Sequence, residues 1–285
     1  MAIESAAAPT ILLLGGGYTL QRVAAKLPID DFVITSRFED TCAAWRSRGW
    51  KAHRVSLQEP ETLRAVLAMY PSLRVLVDSV PPVRSGDSAQ GVQAACDVIR
   101  ESALTRVLYL STTGVFGVRD GSVVSEQTPA APWNEQGEAR LACEQAYRAC
   151  GIPSTSLRLP AIYGPDRGLH VSLRNGTYKM VGAGEAWSNR IHVEDLADII
   201  IRACRAFELP EVLCVSDDSP ARARDIVEFL CAREGLPFPA SVSEDEVLAA
   251  RAYTMLSNQR INNALMKRVL SMELRFPSYR EGFVS

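Results

Sequence analysis

Three glycines carry the first chemistry in this chain. Gly15-Gly16-Gly17-Tyr18-Thr19-Leu20 follows the apolar run 10–14 and opens an amphipathic stretch. Gly15 permits a tight turn. Gly17 lets the backbone approach a pyrophosphate, whose charge sits at a helix N-terminus, with Tyr18 and Thr19 in the first turn beside it. A complete dinucleotide fingerprint has glycine at position 20 for close helix–strand packing. Leu20 stands there instead, and it is expected to push the helix outward without removing the phosphate-facing amides. The alternative is a purely structural glycine turn.

The second apolar run ends Thr35-Ser36-Arg37. An Asp or Glu here would hold a ribose 2′-hydroxyl, and none is present. Ser36 followed by Arg37 suits a 2′-phosphate, so the expected cofactor is NADP(H) in preference to NAD. The alternative is a solvated arginine capping a turn. Hydrolase, zincin and P-loop chemistries lack their motifs, since no GxSxG, HExxH or GxxxxGK[ST] occurs. Three histidines and seven scattered cysteines without a CxxC pair argue against a structural zinc site.

The elements that must position these residues are legible as alternation. Apolar runs at 10–14, 32–36, 51–55, 73–78, 105–111 and 154–160 alternate with helical patterns near 18–27, 39–48, 59–70, 86–102 and 134–150. Continuous Val, Ile and Leu runs suit strands buried on both faces. Strand–helix alternation implies right-handed crossovers and an α/β fold, a Rossmann doubly wound parallel sheet. Residues 161–190 are rich in glycine and read as loop with short helices. A helix at 193–207 and a strand at 211–216 resume the first pattern, and prolines split 218–285 into short helices. The expected division is a dinucleotide-binding domain over 1–165, completed by 190–217, with a small, mostly helical substrate lobe from 166–189 and 218–285. Ligands are expected in a cleft between them.

Composition bounds the function. Lys+Arg of 31 against Asp+Glu of 33 gives a net charge of -2, which argues against a protein built to bind nucleic acid or an anionic membrane. No apolar stretch approaches the ~18 residues of a membrane span. The N-terminus MAIESAAAP has Glu4 and no basic region, so it does not read as a signal peptide. The cysteines read as reduced and buried, and the expected location is cytoplasmic.

GGGYTL at 15–20, LYLSTTGVFG at 108–117, LRLPAIYGPDRG at 157–168 and NRIHVEDLA at 189–197 stand in order along the chain. SNQRINNALM at 257–266 and FPSYREGF at 276–283 close it. Together they resemble the extended or atypical short-chain dehydrogenase/reductase superfamily, of the NAD-dependent epimerase/dehydratase type, over nearly the whole chain. That family uses a Ser or Thr after the fifth strand, a Tyr as general acid/base, and a Lys four residues later that binds the nicotinamide ribose. The resemblance places Thr112 on the hydroxyl position, Gln136 where the Tyr would be and Arg140 where the Lys would be. A Gln amide can hydrogen-bond a carbonyl but cannot exchange a proton near pH 7. Arg140 can hold ribose hydroxyls, or simply pair with Glu144 one turn on.

The resemblance further implies that Ser79, Val80 and Pro81 line the adenosine and pyrophosphate. Ser111 adjoins the cofactor, and Pro160, Ala161 and Ile162 back the nicotinamide. Among replacements for the missing acid, Tyr163 before Gly164-Pro165 is the best tyrosine, with a structural role in the turn as the alternative. Tyr109 reads as packed in its strand, and Tyr147 lies ~16 Å from Gln136 along the helix. His170 reads as a surface histidine, and His192 as a residue that orients a loop. The implied function is an oxidoreductase or epimerase/dehydratase-like enzyme acting on a small carbonyl- or hydroxyl-bearing metabolite or sugar nucleotide. The alternative is a non-catalytic NADP(H)-binding regulator. A homodimer through the helix at 134–150 would draw on Leu141, Ala142 and Tyr147, which could equally pack on the sheet.

Overall fold

A computed structural model of the chain describes residues 8–82 and 89–284. The glycine turn joins β1 (Ile11–Leu14) to α1 (Tyr18–Lys26). There follow β2 (Phe32–Ser36), α2 (Glu39–Arg46), β3 (Ala52–Arg54), α3 (Pro60–Met69), β4 (Val75–Asp78), α4 (Gln90–Arg100), β5 (Arg106–Thr112) and α5 (Glu135–Arg148). Strands Ser154–Leu159 and Val212–Cys214 complete a seven-stranded sheet. Its order is 212–214, 154–159, β5, β4, β1, β2, β3. The pairings from β3 through β5 are parallel. This is the doubly wound sheet that the alternation implies. At its centre β1 is apolar throughout and all four of its residues are buried, as suits a strand covered on both faces.

Leu14 pairs with Asp78 across β1 and β4, so the chain leaves both strands at the same level, into Gly15 and Ser79. The helix expected from residue 86 begins at Gln90 among the described residues, and 86–88 lie outside them, as does the N-terminal MAIESAA. All seven cysteines are free and buried, in keeping with their apolar settings. No described helix is long and apolar enough to cross a membrane.

Among the described residues the chain forms two compact units. One takes the chain to Ser111 with Ala139–Leu157 and Ala197–Val212. The other takes Thr112–Glu138, Arg158–Leu196 and Leu213 onward. The crossings at 111, 157 and 212 all fall inside sheet strands, whereas the sequence places its boundaries at 165, 190 and 217. The segments that follow those strands pack on one another: Gln259 donates to Thr113 O and Asn189 to Gln259 O, at 3.0 and 2.7 Å. The first unit has a core of Leu12, Leu14, Leu76, Ile99, Tyr109 and Tyr147. In the second, Ile226, Val227 and Leu230 of helix Ala223–Glu234 pack with Leu173 and Tyr279.

Candidate functional site

In the first unit the glycine turn is built by three different requirements. Gly15 has φ +80, and a Cβ there would lie 2.8 Å from Val80 Cγ2. Gly16 faces inward, where a Cβ would meet Trp45 and Ile34 at 2.5 and 2.8 Å. Both are glycine because the fold demands it. Gly17 is different. It sits at the N-cap of α1 with ordinary extended backbone (φ -78), and the nearest atom to an added Cβ is Gly15 O at 3.9 Å. Nothing within the protein excludes a side chain there. Thr19 and Leu20 are buried beneath, and Leu20 fills the place of the third glycine at 0% exposure.

Hydrogen bonds lock the turn from both sides. Gly16 N donates to Thr35 O at 2.7 Å, and Ser79 Oγ donates to Gly15 O at 2.5 Å. Val80 N donates to Asp78 Oδ1 at 2.7 Å. Pro81 follows, exposed. At the end of β2, Ser36 Oγ accepts from Phe38 N at 3.1 Å. Arg37 is exposed and lies over the Phe38 ring at 4.7 Å, with no ion-pair partner among the described residues.

Behind the turn lies a buried polar network. Tyr147 of α5 donates to Asp78 Oδ2 at 2.7 Å, and both residues have 0% exposure. Burial pushes the Asp78 carboxyl up to about 6, against the stabilising pull of the Val80 amide, the Tyr147 hydroxyl and Arg140. Arg140 Nη1 donates to Tyr109 Oη at 3.0 Å and to Leu110 O at 3.1 Å. Tyr109 is indeed packed, and burial holds its hydroxyl far above the ordinary phenol range. Arg140 has no carboxylate partner among the described residues. Glu144 instead accepts from the buried Ser111 hydroxyl at 2.5 Å, so the simple Arg140–Glu144 pair is not what forms. Tyr147 is wholly buried, which corrects its assignment to an exposed dimer face. Leu141 and Ala142 are half-buried.

In the second unit Thr112 ends β5 and caps the short turn Thr113–Phe116, its Oγ1 accepting from Gly114 N at 3.1 Å. The first turn of α5 sits directly on it. A Cβ on Gly137 would lie 2.8 Å from Gly114 O and 2.7 Å from Pro132, so only glycine fits. Asn134 Oδ1 accepts from the amides of Gln136 and Gly137 at 3.1 and 3.0 Å and starts the helix. Gln136 itself is exposed. Pro160 and Ile162 are half-buried, and Ile162 pairs with Ile191 across a short parallel ladder.

Tyr163 is 2% exposed and donates to Ser278 O at 3.3 Å. It packs against Phe283 and His192 at ring distances of 4.6 and 5.1 Å. Burial raises its hydroxyl far above the ordinary range. These contacts suit the structural role in the turn that is the alternative to acid catalysis. His170 is 9% exposed, which corrects its reading as a surface residue, and burial lowers its basicity, with Arg174 adding to the effect. His192 accepts the Glu194 amide on Nδ1 at 3.3 Å and stacks on Phe276, which is the loop-orienting role expected of it.

Sequence reasoning missed Asp78, Asn134, Gly137 and Glu144. Asn134 was findable as an N-cap two residues before Gln136. Asp78 carried a weak signal, a lone acid closing an otherwise apolar strand. Nothing local could show that Tyr147 reaches it.

The sequence profile of the NAD dependent epimerase/dehydratase family matches residues 11–215. Protein YeeZ of Escherichia coli K12 is 32% identical over 132 residues, covering 44% of this chain and 46% of that protein. The chain matches about a quarter to under half the length of such curated relatives. A solved protein from Silicibacter pomeroyi, described as functionally unknown, is 30% identical with a TM-score of 0.79, covering 97% of each chain. The UDP-glucuronic acid 4-epimerase of Bacillus cereus, solved with NAD, is 16% identical with a TM-score of 0.76 over 96% of this chain and 95% of that one. At that identity the likeness is one of fold.

Proposed function

The chain belongs to the NAD dependent epimerase/dehydratase family, and we propose that it is an NADP(H)-binding oxidoreductase or epimerase/dehydratase-like enzyme acting on a small carbonyl- or hydroxyl-bearing metabolite or sugar nucleotide. The observation that carries this reading is Gly17. It is a glycine that neither backbone strain nor packing requires, at the start of the helix after the first strand of a Rossmann sheet. A ligand backing onto the main chain there explains it. The residues present fit a dinucleotide: Gly17 leaves the α1 amides approachable, and Ser36 and the unpaired Arg37 end β2 where the adenosine ribose would lie. Arg37 would hold a 2′-phosphate by charge-assisted hydrogen bonds.

When bound, the nicotinamide would donate or accept a hydride. The chain's own groups would do the rest. Thr112 Oγ1 uses a lone pair on Gly114 N, which leaves its proton for a substrate oxygen. Arg140 uses Nη1 on Tyr109 and Leu110 O, which leaves Nη2 and Nε for ribose hydroxyls. Ser79, Val80 and Pro81 would line the adenosine and pyrophosphate, Ser111 would support the cofactor side, and Pro160 and Ile162 would back the nicotinamide. Gln136 would orient a carbonyl without exchanging its proton. That last feature favours a second reading, a non-catalytic NADP(H)-binding regulator.

Titration with both dinucleotides tests the cofactor. NADPH should bind tenfold or more tighter than NADH, with the gap erased in Arg37→Ala. Equal affinities in the wild type overturn the preference. Transfer of label from deuterated NADPH to candidate carbonyl compounds separates the enzyme from the regulator.

A further inference from the structure

Thr35 lies in β2 at 0% exposure, in a run whose other fully buried members, Phe32, Val33 and Ile34, are apolar. A valine of the same shape would fill the strand, so the hydroxyl is the feature to explain. Its oxygen has two partners, one in the glycine turn and one in the strand that enters it. Oγ1 accepts from Gly15 N at 3.3 Å and donates to Leu13 O at 3.4 Å. The backbone of the same residue takes the next amide, with Thr35 O accepting from Gly16 N at 2.7 Å. One residue of β2 therefore holds both amides of the Gly15-Gly16 pair.

The carbonyls of that pair are held from elsewhere. Gly15 O accepts from Ser79 Oγ and from Gly17 N, at 2.5 and 2.6 Å. Gly16 O accepts from Gln21 Nε2 at 3.2 Å. Every amide and carbonyl of the two residues is thus engaged within the first unit. Two glycines in succession have the widest backbone freedom of any pair, so these bonds choose the one arrangement that the turn adopts. Gly17, which nothing in the protein crowds, follows directly.

We propose that Thr35 is a positioning residue for the dinucleotide turn. Its hydroxyl holds the Leu14–Gly15 peptide in the orientation that presents the Gly17 backbone and the first turn of α1 to a pyrophosphate. This inference rests on the dinucleotide reading of the turn. Gly15 is half-buried, so without the hydroxyl its N–H can turn toward water at modest cost to the fold. The turn then samples other conformations, and a ligand has to restore the receiving one at the expense of its own affinity. The hydroxyl is therefore worth more to the ligand than to the strand. It acts through a turn that NADPH and NADH would share, whereas Arg37, two residues further on, would read only the 2′-phosphate.

Calorimetric titration of the full chain with NADPH and with NADH, beside urea unfolding of the same proteins without ligand, tests this. Thr35→Val keeps the shape and removes the hydroxyl. Thr35→Ser keeps the hydroxyl and removes a buried methyl. Each change costs the fold something, a hydrogen bond in one case and apolar packing in the other. Only Thr35→Val should bind more weakly, by about tenfold for both dinucleotides, while Thr35→Ser stays within about threefold of the wild type. A residue that only supported the strand would lower affinity in step with stability in both variants. If Thr35→Val does not fold, Thr35→Ala carries the same expectation for affinity. Wild-type affinity in a folded Thr35→Val or Thr35→Ala protein overturns the proposal, and so does an equal loss in Thr35→Ser. A loss confined to NADPH places the effect at Arg37 and overturns it too. Failure of the wild type to bind either dinucleotide removes the dinucleotide reading and this inference together, whereas binding that is indifferent to Thr35 removes this inference alone.

Discussion

The Tyr147 hydroxyl donates to Asp78 Oδ2 across 2.7 Å, linking the last turn of α5 to the end of β4 directly behind the glycine turn. Oδ1 of the same carboxylate accepts from Val80 N, and Val80 is the residue that Gly15 could not clear with a side chain. One wholly buried acid therefore holds the loop against which the first turn is formed.

That acid makes stability depend on pH. Its folded-state pKa, about 6, is raised above the ordinary 3.8. The contribution is fully present below pH 4 and is lost as pH rises through 6. A shift of this size corresponds to about 3 kcal/mol. Asp78→Asn cannot ionise, so its unfolding free energy should fall less than the wild type's between pH 4 and pH 8, by roughly that amount. Urea melts at several pH values measure the difference, and parallel curves for the two proteins contradict it.

Gly16 and Gly17 should behave in opposite ways. Gly16→Ala drives a methyl into Trp45 and Ile34 and should cost about 1–3 kcal/mol of stability. Gly17→Ala meets open space and should change stability by about 0.5 kcal/mol or less. Its dinucleotide affinity should nevertheless drop tenfold or more. Retained affinity in Gly17→Ala would show that the open face of α1 receives no ligand.

Removing Arg140 leaves the buried Tyr109 hydroxyl and Leu110 carbonyl without their donor. Arg140→Ala should therefore destabilise the first unit by about 1–3 kcal/mol in the absence of any cofactor. Denaturant unfolding of the apo protein reads this directly. A neutral result means that neither group depends on the guanidinium.

Tyr163→Phe tests whether that residue packs or catalyses. The lost bond to Ser278 O should cost about 0.5–1.5 kcal/mol, with turnover of any identified substrate changed less than threefold. A fall of ~100-fold would instead identify the proton donor.

The Gln136 position offers a gain-of-function test. Gln136 is exposed on the first turn of α5, with Gly137 fixing that turn against Gly114. Gln136→Tyr should raise reduction of small carbonyl compounds measurably and leave NADPH affinity within threefold. No gain, with Thr112→Ala also silent, would favour the regulator.

The sheet was legible from residue order alone. Runs such as Ile11–Leu14 and Val75–Val77 are apolar because both faces of a central parallel strand are covered, and that burial leaves its mark on consecutive residues. The glycine turn was legible for the same local reason: Gly15 and Gly16 answer constraints that fall on the turn itself. Leu20 breaks the fingerprint because it packs in the core, which the motif did not anticipate. What the sequence could not decide was where polar groups meet. Tyr147 looks like one more residue of an amphipathic helix, yet it lies 69 positions from the acid it bonds. Tyr163 is the best-placed tyrosine in the sequence, and no local pattern shows that its hydroxyl meets Ser278 O, 115 residues later. Hydrophobic burial repeats with the period of its own element, but a buried hydrogen bond joins elements brought together by the fold, and no local pattern records its partner.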